Sequence, residues 1–202
     1  PLNALYKCWH IASRLDKRYY VDEVITEILG GGASSRLFQR LVKEQQLFSS
    51  IECSHTGSID AGLLCIDGKL VRDVTLEEAE DAVLAELEKM KTELISEVEL
   101  QKIKNKTESM LAFEDISLMN RANSLANYEL LGDANLMNTE LESYQAITKE
   151  EIRDECRKVF VDTNCSTLYY RSTIKEAFSS VETESENENE AETENDYDLN
   201  VL

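Results

Sequence analysis

Gly30-Gly31-Gly32-Ala33-Ser34-Ser35-Arg36-Leu37-Phe38-Gln39-Arg40-Leu41 is the stretch on which the fold turns. It follows an apolar helical pattern, opens a second one and leads into a strand. Three successive glycines give a backbone that turns sharply and tolerates close approach, because no Cβ intervenes. The pattern predicts a helix ending at Gly30, with Gly30 as the left-handed C′ residue. It predicts a second helix over 35–46 capped by Ser34 or Ser35. A capped helix start beside exposed amides is also a place where a peptide or an anion can be held. Nucleotide binding is excluded. The glycines follow a helix rather than a strand, and no Gly-x-x-x-x-Gly-Lys-Ser/Thr is present.

The flanking sequence sets the class. Residues 2–12 read as a strand and 20–29 as a helix. Strands over 47–58 and 62–70 are joined by Ser58-Ile59-Asp60-Ala61-Gly62 as a hairpin. Three capping boxes then open helices: Thr75-Leu76-Glu77-Glu78, Ser96-Glu97-Val98-Glu99 and Thr148-Lys149-Glu150-Glu151. After the first box, Ala79, Ala82, Val83, Leu87, Met90 and Leu94 fall on one helical face. Further helices are expected over 97–117, 118–131, 134–146 and 149–160. A last strand is expected over 165–172, with Leu168 and Tyr170 on one face and Thr167 and Tyr169 on the other. The order strand, two helices, two strands, helices, strand predicts α+β: a mostly antiparallel sheet with helices packed on one face.

Composition narrows the function. The 202 residues, 42% hydrophobic, suffice for a real core. A net charge of −19 argues against nucleic acid and against anionic membrane surfaces as partners. No apolar run is long enough to span a membrane. Ten acids and one lysine fall in 173–202, where acids alternate with Asn, Ser and Thr. That segment is expected to be a disordered acidic tail following a domain of residues 1–172. A docking peptide anchored by Leu199-Asn200-Val201-Leu202 is the other reading of it. Five cysteines in no regular spacing point to free thiols and favour the cytoplasm. The start at Pro1, inside a strand pattern, suggests a fragment or a processed product.

Two Cys-x-His pairs, Cys8/His10 and Cys53/His55, lie on predicted strands, each with both members on one face. Neighbouring strands in register would give a Cys2His2 zinc site. The spacing matches no finger or ribbon, so packed side chains are the simpler reading, with Lys7, Glu52 and Ser54 on the opposite faces. Trp9 and Tyr19-Tyr20 likewise read as packing rather than as a binding box.

Four segments in order carry a resemblance: Glu27 to Phe38, Ser54-His55-Thr56-Gly57-Ser58-Ile59-Asp60-Ala61-Gly62-Leu63, Arg121 to Gly132, and Leu168-Tyr169-Tyr170. Together they resemble the C-terminal, non-catalytic domain of the pitrilysin/insulinase zinc metallopeptidases, over about residues 1–172. The resemblance implies one wall of a clamshell chamber, paired in cis or trans with an N-terminal domain bearing His-x-x-Glu-His and zinc. A homo- or heterodimer and a peptide substrate are implied with it. Zinc activates water and polarises the scissile carbonyl in such sites. This chain has two histidines, and neither is followed by that motif: His10 is followed by Ser13 and Arg14, His55 by Ser58 and Ile59. No catalytic residue, metal ligand or cofactor is therefore expected here.

The family's C-terminal domains often supply an Arg and, seven residues on, a Tyr to the substrate. The matching positions hold Val42 and Ser49, with Arg36 and Arg40 out of register. The glycine loop does match, so Gly30, Gly31, Gly32, Ser34, Ser35 and Arg36 are the expected substrate contacts. The acidic balance predicts a preference for basic peptides, and main-chain addition to a sheet edge is the expected binding mode. The alternative is a degenerate scaffold or assembly subunit with no peptidase role.

Overall fold

A computed structural model describes residues 2–114 and 116–172. The acidic segment expected to be disordered, 173–202, lies outside the described residues.

The sheet is built from β1 (Ala4–Ser13), β2 (Phe48–His55), β3 (Ala61–Leu70) and β4 (Cys165–Tyr170). The strand order is β2-β3-β1-β4 and every pairing is antiparallel. β2 and β3 form the expected hairpin, closed by Thr56, whose amide donates to the Leu63 carbonyl and whose hydroxyl accepts from the Leu63 amide. Alternation puts Leu5, Trp9 and Ile11 of β1, Leu64, Ile66 and Leu70 of β3, and Phe48, Ile51 and Cys53 of β2 on the inner face. Lys7 shares that face although it is charged. It is 4% exposed, and its ammonium meets Glu80 at 2.5 Å and Thr167 Oγ1 at 2.8 Å. Burial of a lysine requires such partners.

Six α-helices cover the inner face or one another: α1 (Arg18–Gly30), α2 (Leu76–Thr92), α3 (Glu97–Glu114), α4 (Leu118–Leu130), α5 (Leu136–Ala146) and α6 (Lys149–Val159). α1, α2 and α6 pack on the sheet through Val24, Ile25, Ile28, Leu29, Val83, Leu87, Ile152 and Cys156. α3 and α5 lie against α1. The fold is thus α+β with helices on one face, as expected. Thr75, Ser96 and Thr148 each accept a hydrogen bond from the amide three residues on. Thr148 and Glu151 complete the reciprocal box. Glu99 of the second box instead reaches out to Arg36. α3 ends at Glu114, short of 117, because Ser117 caps α4 by accepting from the Asn120 amide. α4 buries only Tyr128, and leaves Leu118, Met119 and Leu130 exposed.

The segment after the glycines departs from expectation. An α-turn from Arg36 passes into a π-helix over Phe38–Glu44. The chain leaves it through a bond from the Leu47 amide to the Leu41 carbonyl and through Gln46 at φ 55°. The helical period alone cannot show a widened turn.

Candidate functional site

The glycine loop joins α1 to the π-helical segment, and each glycine answers a different demand. Gly30 is still helical. A Cβ there would strike the Cys53 backbone nitrogen and lie 2.5 Å from the Cys53 Cβ, so α1 rests directly on β2. Gly31 is the C-cap, its amide bonded to the Glu27 carbonyl. Gly32, at φ +95°, is the left-handed residue. The left-handed turn therefore comes two residues later than Gly30, because close packing against Cys53 keeps Gly30 in the helix. The next helix begins with the Gln39 amide bonding the Ser35 carbonyl. The expected side-chain cap is replaced: the Ser34 hydroxyl accepts from the Lys102 ammonium, and Ser35 is buried.

Of the six expected contacts, Gly31, Ser34 and Ser35 line a cleft against α3 and Arg36 reaches α3 through Glu99, whereas Gly30 packs on β2 and Gly32 turns away from the cleft. Arg36 forks onto Glu99, with Nε to Oε1 at 2.9 Å and Nη2 to Oε2 at 2.7 Å. This bond holds the guanidinium further above its ordinary value, against the opposing effect of burial. Glu27 on α1 pairs with Lys106 on α3. Between these groups lies a cleft of about 190 Å³ lined by Glu27, Gly31, Ser34, Glu99, Lys102 and Lys106. Glu27, Ile103 and Lys106 also line a second cleft of about 240 Å³ between α1 and the α3–α5 group. Together the two clefts, lined by polar and apolar groups alike, form a groove along α1 from the glycine loop towards β1.

The far end of that groove is closed by a cluster around Arg14. Its guanidinium lies 4.4 Å from the Tyr19 ring centre, 5.1 Å from Tyr20 and 5.7 Å from Tyr128. It also pairs with Glu140, which accepts from the Tyr128 hydroxyl as well. Tyr144 donates to Glu23. Burial lowers the Arg14 pKa, but the Tyr20 hydrogen bond and the Glu140 charge outweigh it and raise it. Burial pushes Tyr19 up to about 12, helped by Glu23. Tyr19-Tyr20 was expected as plain packing. It does pack, and it also encloses a cation that links β1 and α1 to α4 and α5. The signal in the sequence was Arg14 five and six residues before the two tyrosines. Its acidic partner lies 126 residues away.

The Arg and Tyr register positions contribute no substrate group. Val42 packs against the core, and the exposed Ser49 donates to the Lys69 carbonyl at 3.0 Å. Arg40 is held by Glu44 at 2.6 Å. The Cys2His2 alternative is corrected by the sheet. β3 separates β1 from β2, and Cys8 and His10 point to the outer face while Cys53 points inward. The alternation on β1 is the reverse of that assumed, since Lys7 is the buried residue. Among the described residues no group of three or more His, Cys, Asp or Glu side chains is arranged to hold a metal.

Residues 1–107 match the Peptidase M16 inactive domain profile, and the chain belongs to that family. The protein is 26% identical over 148 residues to the uncharacterized zinc protease YmxG of Bacillus subtilis, covering 72% of this chain and 36% of that protein. A protease from Helicobacter pylori superposes with a TM-score of 0.79 at 20% identity, over 85% of this chain and 41% of that one. An inactive peptidase domain from Bordetella parapertussis gives 0.76 at 17% identity, over 85% and 91%. This chain thus spans about a third of its curated relative and nearly all of a solved inactive domain.

Proposed function

We propose that this chain is the non-catalytic wall of a peptide-processing chamber, set beside a zinc-bearing domain that supplies the metal and the general base. The observation that carries the reading is membership of an inactive-peptidase family in a chain whose two histidines stand outside any His-x-x-Glu-His. The groove from the glycine loop along α1 is the proposed peptide contact. Gly31, Ser34 and Ser35 border it, and its charged groups, Glu27, Glu99, Lys102 and Lys106, offer ion-pair partners of both signs to a bound segment. β2 and β4, the outer strands of the described sheet, are the proposed main-chain partners of an extended segment. The net charge of −10 over residues 1–172 attracts basic peptides at long range. The zinc-bearing domain, in cis or trans, is proposed to sit on the exposed apolar turn formed by Phe113, Ile116, Leu118 and Met119. Such a patch marks an interaction surface, and the curated relative is more than twice as long as the matched region.

Titration calorimetry with a Lys/Arg-rich extended peptide and a Glu-rich one tests the contact. Binding of the basic peptide, weakened as salt rises, supports it; equal or absent binding of both removes it. Absence would favour a scaffold subunit, the reading to which Val42 and Ser49 point.

A further inference from the structure

The outer face of the sheet carries a pair of groups that the proposed chamber role does not use. Cys8 on β1 and Cys65 on β3 are register partners in the antiparallel ladder. Directly opposed residues there have Cα atoms about 4.5–5.5 Å apart, inside the 4.4–6.8 Å range that a disulfide spans. Their sulfur atoms lie 2.6 Å apart. Both side chains are partly exposed, on the face opposite the helices. The other cysteines are placed differently. Cys53 and Cys156 are buried in the core, and Cys165 sits beside Trp9 in the β1–β4 ladder with its sulfur 3.7 Å from the Thr167 hydroxyl.

We propose that Cys8 and Cys65 form a redox-active cross-strand dithiol that closes to a disulfide on reaction with a small-molecule disulfide. Burial and the hydrogen bond with Cys8 push the Cys65 thiol up to about 12, and attack by Cys8 is the opening step of the proposed exchange. The Cys8 thiolate attacks one sulfur of the reagent, forming a mixed disulfide and expelling one thiolate. Cys65 then gives its proton to solvent and attacks the Cys8 sulfur, and the second reagent thiolate leaves. Two protein thiols are oxidised by two electrons, and one reagent disulfide is reduced to two thiols. An S–S bond is about 2.0 Å long, so closing it from the present separation needs only side-chain motion. The product pins β1 to β3, the two central strands of the sheet.

The test uses the whole folded chain and oxidised glutathione. After reaction the remaining thiols are counted in denaturant, and the protein is digested before aspartate without reductant. That digestion separates Cys8 (1–15), Cys53 (22–59) and Cys65 (60–66) into different fragments. The expected results are a mass loss of about 2 Da, a fall of two from five thiols, and a 1–15 fragment linked to 60–66. Dithiothreitol should restore all five thiols. Cys8→Ser should abolish the link while circular dichroism stays unchanged. Separate glutathione adducts on Cys8 and Cys65, a link through Cys53 or Cys165, or no reaction of the folded chain would each overturn the proposal.

Discussion

Asp22 offers a sharp test of how the helices rest on the sheet. It lies on α1 with no exposed surface. One carboxylate oxygen accepts from the Ala12 amide at 3.1 Å, near the irregularity between Ile11 and Ser13. The other has no hydrogen-bond partner among the described residues. Burial pushes this carboxyl up to about 7, against the opposing effect of the Ala12 amide; Glu155 adds to the rise and Arg18 reduces it. In the unfolded chain the group titrates near 3.9. The folded state therefore prefers the protonated form. Its penalty is absent below about pH 4, grows as pH rises, and levels off above about 7, where it reaches about 4 kcal/mol. Asp22→Asn keeps an acceptor for the Ala12 amide and removes the charge. Urea unfolding followed by circular dichroism, at several values from pH 5 to 8, reads the difference between variant and parent. The variant's advantage should widen by about 2–3 kcal/mol across that range, with equal m-values. A gap independent of pH, or a variant less stable at pH 8, would refute the placement of a lone buried carboxylate there.

Three further outcomes follow from particular contacts. Gly30→Ala should cost about 1–3 kcal/mol in urea unfolding, since the new Cβ meets Cys53 backbone that cannot step aside; a neutral result would mean that α1 does not rest on β2. Glu140→Ala should cost about 3 kcal/mol by leaving Arg14 buried without its counter-charge, and adding Arg14→Leu should recover most of it. Additive losses in that double-mutant cycle would contradict the coupling. Gln46→Gly should gain about 0.5–1 kcal/mol by relieving φ 55° at the exit of the π-helical turn, read as a rise in the urea midpoint.

What could be read from residues alone was local. Thr75, Ser96 and Thr148 announced their helices because a cap is a contact over three residues. The β2–β3 hairpin was legible for the same reason. The faces of β1 were not, because Cys8 and His10 resemble half-buried residues and Lys7 does not. Glu80 and Thr167, 73 and 160 residues on, make the burial of Lys7 tolerable. The groove was hidden in the same way: Ser34 and Lys102, and Glu27 and Lys106, meet across 68 and 79 residues. The widened turn at Phe38–Glu44 left no mark, since Gln rather than Gly occupies the left-handed position at 46. Gly30 was rightly singled out for its lack of Cβ, but the reason lay in a strand still to come.

The most direct measurement compares zinc content and peptidase activity in this chain alone and in the parent protein or complex that carries the proposed zinc-bearing domain. The account predicts stoichiometric zinc and cleavage of basic peptides in the parent, and neither in this chain. Stoichiometric zinc bound by this chain alone, or peptide cleavage by it, would contradict the assignment as a non-catalytic wall.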